Sequence, residues 1–177
     1  AYFLRPGDVS KPIVYDVDRI RDGNSFTTRR VRAIQSGHAI FNMSASFQIE
    51  EPGFFHQNDM PEAPAPEDTR TEQALAAALG DRVPAPFRAH ALAERPFEIR
   101  PVNPLDPFRP SPSAARRMVW LKTRAPLPDD PALHRYLLAY ASDHAFIGTA
   151  MLPHGVSFLT RGMQVASLDH AMWCHQP

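Results

Sequence analysis

The sequence predicts an α+β fold. Two observations carry that reading. The first fifty residues are strand-like, with a clean period of two from Ala39 to Ile49, and a single long stretch near residue 140 repeats its apolar residues with a period near 3.6. The order along the chain is strands, a proline-rich crossing, more strands, one long helix and a last strand.

The elements follow in order. The segment KPIVYDVDRI is short, rich in β-branched residues and strand-like. NSFTTRRVRAIQSGHAIFNMSASFQIEE reads as a hairpin turning at Ser36-Gly37, where serine and glycine supply the backbone freedom of a tight turn. Its second arm places Ala39, Phe41, Met43, Ala45, Phe47 and Ile49 on one face. Ile40 is the one apolar residue on the other face, among Asn42, Ser44, Ser46 and Gln48. From Glu51 the composition turns to proline, acids and alanine, as in NDMPEAPAPEDTRTEQ. This predicts a linker over residues 51–95 with one short helix near Thr71–Leu79, capped by Thr71. PFEIRPVN and AARRMVWLKTRA read as strands. PDDPALHRYLLAYASDHAFIGTAML reads as one helix, with Asp129 or Asp130 as its cap, Pro131 at its first position, and Pro153 and Gly155 at its end. MQVASLDHAMWC looks like a buried strand.

Composition excludes several classes. The 177 residues suffice for one ordinary domain or two small ones, and 44% hydrophobic content is a globular value. Nineteen basic residues balance nineteen acidic ones, which disfavours nucleic acid as a partner. No apolar run is long enough to span a bilayer, so no membrane partner is expected. AYFLRPGD has no signal-peptide pattern and no Met, so a cytoplasmic location and a start inside a longer gene product are expected. The one cysteine, Cys174, excludes an internal disulfide and a cysteine zinc site, and it reads as a small buried hydrophobe. The eight histidines show no metal-ligand spacing with a carboxylate nearby, so no metal is expected.

One residue in the helix is out of character. In LLAYASDHAFIGTAMLPHG, Leu133, Leu137, Tyr140, Ala141, His144, Ile147 and Gly148 share a face, and Asp143 lies on its flank. Its neighbours three and four residues away, Ala139, Tyr140, Phe146 and Ile147, offer no basic partner. The plain reading is an ordinary surface acid. The sharper one is a half-buried carboxylate acting as general base on water. Spacing does not choose between them.

Three segments, YDVDRIRDGNSFTTRRVRAIQSGHAIFNMSASFQ, LLAYASDHAFIGTAMLPHGVSFL and GMQVASLDHAMWCH, closely resemble the acyl-CoA thioesterase II family. The resemblance covers nearly the whole chain outside the linker. It implies a double-hotdog architecture, two repeats in which an antiparallel sheet wraps one long central helix. Residues 1–50 would supply strands of the first repeat, and residues 96–177 the first part of the second repeat with its helix. It implies hydrolysis of fatty acyl-CoA to free acid and coenzyme A by water held between an Asp, a Thr or Ser, and a Gln. The Asp falls on Asp143. The hydroxyl falls on Ser167, with serine in place of threonine. The Gln would lie beyond Pro177. No cofactor is implied, the substrate is acyl-CoA, and a homo-oligomer is expected.

Other candidates carry plainer expectations. Asp169-His170 is a second acid–base pair for which a structural role is expected. His154 could line the substrate path or serve a helix terminus. Arg29, Arg30 and Arg32, and likewise Arg116, Arg117 and Lys122, could bind phosphates, though solvated strand faces are the commoner setting. Trp120 and Trp173 are expected in the core. Two rival readings remain at this level: a hotdog dehydratase using a His with an acid, which SDHAF would supply, and a non-catalytic acyl-CoA-binding or assembly module.

Overall fold

The computed structural model describes residues 1–175 as an α+β chain of two compact units. The first comprises Ala1–Asn58 with Ala166–Trp173, the second Asp59–Val165 with the chain from Cys174 onward.

The first unit is a four-stranded antiparallel sheet. Its strands are β1 (Tyr2–Phe3), β2 (Val14–Asp22), β3 (Phe26–Gln35) and β4 (His38–Gln48), in the order β1-β4-β3-β2. The β3–β4 turn is where the sequence placed it. Ser36 and Gly37 both take positive φ, 50° and 79°, the pattern of a turn whose twist matches the flanking strands. The odd position of Ile40 also has a structural reason. Ala33 pairs with Phe41 but Ile34 pairs with Ala39, so Ile40 is the extra residue of a β-bulge. Its carbonyl accepts from the N–H of Leu4 at 2.9 Å, which docks the chain after β1.

Side chains hold the rest of this unit. Phe3 and Phe41, opposite each other in the ladder, pack with ring centroids 5.5 Å apart. The buried Gln35 accepts from the N–H of Asp8 at 2.8 Å and donates to the carbonyls of Asp8 and Lys11 at 2.9 and 3.0 Å. Its amide thereby replaces water for three backbone groups of the loop before β2. The segment expected as a last buried strand forms no ladder, only one bridge, Tyr2 with Asp169. Its partner β1 is two residues long, which limits the ladder, and Trp173 is 75% exposed.

The second unit joins a hairpin to four helices. Strands β5 (Phe97–Pro101) and β6 (Val119–Thr123) pair antiparallel. The helices are α1 (Glu72–Leu79), α2 (Ala85–Leu92), α3 (Pro131–Ser142) and α4 (Phe146–Met151). Thr71 caps α1 as expected, its hydroxyl accepting from the N–H of Ala74 at 3.1 Å. Helix α2 was not expected. Pro84 and Pro86 sit in its N-cap and first turn, where a missing N–H costs nothing, and so masked a helical stretch. The proline-rich stretch before α1 is fastened to the hairpin. Trp120 Nε1 donates to the carbonyl of Pro64 at 3.0 Å, and Arg100 Nη1 to those of Pro66 and Thr69 at 3.1 and 2.6 Å. Ile99, Val83, Ala141, Met151 and Leu152 are among the buried residues of its core.

The long helix needs a correction. It is two helices, separated at Asp143–Ala145. Ser142 Oγ donates back to the carbonyl of Ala139 at 2.8 Å, and Ser-Asp-His is a run of weak helix formers whose side chains compete for backbone groups. Its start is as expected. Asp130 Oδ1 accepts from the N–H of Ala132 at 2.9 Å and of Leu133 at 3.4 Å, with Pro131 next in line. Its end is also as expected. After a 3₁₀ turn at Leu152–His154, Gly155 adopts the left-handed conformation at φ 60°.

Candidate functional site

The break between α3 and α4 sets the site of the second unit. Asp143 is the C-cap of α3, with φ −82° and ψ −3°, and is half-buried. Leu133, Leu137 and Ala141, at i, i+4 and i+8, turn one face of α3 inward, and the buried Gly148 continues it in α4. The break releases Asp143 and His144 from that regular face. His144 keeps one local bond, its N–H to the carbonyl of Ala141 at 3.1 Å. Its ring reaches out of the helix, with Nε2 3.3 Å from Oε1 of Glu72, the first residue of α1. Arg95 Nη1 lies 4.0 Å from the other carboxylate oxygen of Glu72.

The electrostatics around Glu72 are a contest. Burial pushes its carboxyl up. The hydrogen bond and charge of His144, with the charges of Arg95 and Arg117, outweigh burial and hold it below 4.5. Arg117 reaches this cluster by lying over Gly148, where any Cβ would collide with its Nη1. Glu72 and Arg95 escaped the sequence reading because both fall in the stretch read as linker, and no spacing rule connects residue 72 with residue 144.

The PHG segment closes α4. Leu152 accepts from the N–H of Gly155 at 3.2 Å and of Ser113 at 2.9 Å. Gly155 packs directly on Pro112. His154 ends the 3₁₀ turn and is exposed, so its observed place is a helix terminus. Ser157 Oγ donates to the carbonyl of Pro107 at 2.8 Å, fixing the chain after the turn.

Ser167 belongs to the first unit, whereas Asp143 belongs to the second. Ser167 is half-buried and lies outside the named strands. The next residue, Leu168, accepts from the N–H of Phe3 at 2.9 Å, and the N–H of His170 donates to the carbonyl of Ala1 at 3.0 Å. Asp169 and His170 thus contribute backbone pairing to β1. Among the arginines of the sheet, Arg29 pairs with Asp22 and Arg32 with Asp16 across the β2–β3 ladder, which favours a solvated, charge-balanced face over a phosphate site. Cys174 is exposed rather than buried, in a stretch, residues 171–175, outside any strand or helix.

Comparison with known proteins bears on this arrangement. The family model described as acyl-CoA thioesterase matches residues 87–177, which hold the α3–α4 break and Ser167, and one described as acyl-CoA thioesterase N-terminal domain matches residues 1–48. The chain is 43% identical over 177 residues to acyl-CoA thioesterase 2 of Haemophilus influenzae, covering all of this chain and 62% of that protein. It is 40% identical over 184 residues to human acyl-coenzyme A thioesterase 8, covering 99% of this chain and 57% of that protein. The chain therefore spans about three-fifths of the length of these relatives. A crystal structure of an acyl-CoA thioesterase II from Mycobacterium marinum superposes with a TM-score of 0.64 at 40% identity, over 86% of this chain and 52% of that one. A hot dog fold protein of unknown function from Alicyclobacillus acidocaldarius shares the fold, with a TM-score of 0.59 at 20% identity over 88% of this chain and 51% of that one. Matched along both of its units, with a hotdog α+β architecture, the chain belongs to the acyl-CoA thioesterase family.

Proposed function

We propose that this chain contributes to hydrolysis of acyl-CoA thioesters to a free carboxylic acid and coenzyme A, with Asp143 as general base and Ser167 as the hydroxyl that orients water. The observation that supports it most is the family match across residues 87–177, joined to the half-buried position of Asp143 at a helix break. At a break, an acid leaves the regular face of the helix. In the reaction, Asp143 takes a proton from water and the resulting hydroxide attacks the thioester carbonyl carbon. The C–S bond then breaks, and the leaving thiolate takes up the proton.

The dehydratase alternative needs a His working with an acid on the substrate. Here His144 Nε2 faces Glu72, which disfavours it. Asp143→Asn in the full gene product that carries this chain should abolish thiol release, read with a thiol reagent, while acyl-CoA still binds by calorimetry. Near-normal turnover in that variant would remove Asp143 from the role. Tight binding with no turnover in the parent would favour a non-catalytic module.

A homo-oligomer is a companion proposal. Strand β2 is the edge of its sheet and exposes Val14, Tyr15 and Val17 at 63%, 64% and 55%, a surface suited to strand pairing between copies. Light scattering that gives a monomer mass would remove it. Among the described residues no helix is long and apolar enough to cross a membrane. A cytoplasmic location is proposed with it, checked by fractionation.

A further inference from the structure

We infer that Glu72 is a positioning residue for the hydrolytic site: through its hydrogen bond to His144 it fixes the α3–α4 break and hence the orientation of Asp143. The inference rests on the proposed role of Asp143. It adds a residue far away in sequence, on a different helix.

The argument starts from what a helix break lacks. Inside a helix, each residue is held by backbone bonds one turn before and after it. Residues 143–145 have left that ladder. The backbone here is held by the N–H groups of Asp143 and His144, both donating to the carbonyl of Ala141, the latter at 3.1 Å, and by Thr149 N–H donating to the carbonyl of Ala145 at 3.0 Å. Small displacements of a reacting group are costly, so a contact that ties the residue beside it to a second helix bears on its placement.

The His144 ring makes such a contact. Its Nε2 meets Glu72 Oε1 at 3.3 Å, and both side chains are about one-third exposed, at 33% and 30%. Glu72 is in turn well held. It is the first residue of α1, directly after the Thr71 cap, where a negative charge suits the helix dipole. Its second oxygen faces Arg95 Nη1 at 4.0 Å, and the Arg117 guanidinium, lodged over Gly148 of α4, adds a second positive charge. The tie therefore runs from a capped helix, through one carboxylate and one imidazole, to the residue adjacent to Asp143. A solvated acid at a helix start would need none of these partners.

The test is steady-state acyl-CoA hydrolysis by the full gene product, with Glu72→Ala, His144→Ala, their double variant and Glu72→Gln compared with Asp143→Asn. His144→Ala leaves the α1 cap and the Arg95 contact untouched, so it reports even if Glu72→Ala fails to fold. The expected result is a loss of about tenfold or more in kcat for each alanine variant, with KM within about twofold of the parent, since a misplaced reacting group costs up to roughly 10²-fold. The double variant should be no worse than either single one. Glu72→Gln keeps an oxygen that accepts from Nε2–H and should restore kcat to within about threefold of the parent, a rescue set by hydrogen-bond geometry. Kcat near the parent value in His144→Ala, an effect on KM alone, additive losses or no rescue by Gln would each overturn the inference. An inactive parent, or an active Asp143→Asn, would instead remove the hydrolytic reading on which it rests.

Discussion

Replacing Gly155 with alanine should destabilise the second unit by about 1–4.5 kcal/mol, through two separable costs less a small entropic return. The first is backbone. Gly155 has φ 60°, and an L-residue with a Cβ is disfavoured there by about 1–2 kcal/mol. The second is packing. A Cβ at this position would lie 2.7 Å from Pro112 Cδ and 2.9 Å from Pro112 N. The nitrogen is backbone and the ring is rigid, so neither yields as a flexible side chain would, and overpacking of this kind costs about 1–3 kcal/mol. The alanine returns about 0.4–1 kcal/mol by restricting the unfolded chain. Gly162 provides the control. It lies in the same unit, has φ 80° and has no atom within 4 Å of a built Cβ. Gly162→Ala should therefore cost about 1 kcal/mol or less, the backbone cost less the entropic return. Urea denaturation followed by circular dichroism reads both, as a shift in midpoint at constant slope. Equal losses in the two variants would refute the packing argument, and a neutral Gly155→Ala would refute both parts.

Two further outcomes follow from named contacts. Asp130→Ala removes the carboxylate that accepts from Ala132 and Leu133 and should cost about 1 kcal/mol, again read by urea midpoint, with no loss expected for Asp129→Ala. Glu72 makes stability depend on pH. Burial raises its carboxyl, but His144, Arg95 and Arg117 together hold it below 4.5, so its folded value is depressed. A depressed acid contributes stability that is present above 4.5 and is lost as pH falls through the folded value. The stability gap between the parent and Glu72→Gln should therefore be widest above 4.5 and close on acidification, and a gap that widens at low pH would contradict the sign.

Much of the fold was legible because it is written in local chemistry. The Ser36-Gly37 turn, the Thr71 and Asp130 caps, Pro131 at a helix start and the left-handed Gly155 all depend on one to four neighbouring residues. The period-two pattern of β4 was legible for the same reason. Its single exception, Ile40, was visible as an anomaly, but only the register of β3 against β4 made it a bulge. The second helix of the proline-rich stretch was hidden because proline is a breaker in a helix interior yet neutral in a first turn, and the sequence does not say which turn it occupies.

The sequence by itself determined the α+β class, the Ser36-Gly37 turn, the starts of α1 and α3, and, through its motifs, the family and the two candidate residues Asp143 and Ser167. Tertiary structure decided the rest. Ser142 and its neighbours are weak helix formers, but weakness alone does not end a helix. The fastening of His144 to Glu72, 72 residues earlier, accompanies a real break and places Asp143 at its edge. The reason is physical. Helical periodicity records contacts three and four residues apart, whereas a carboxylate on one helix and an imidazole on another meet only once the chain has folded back on itself.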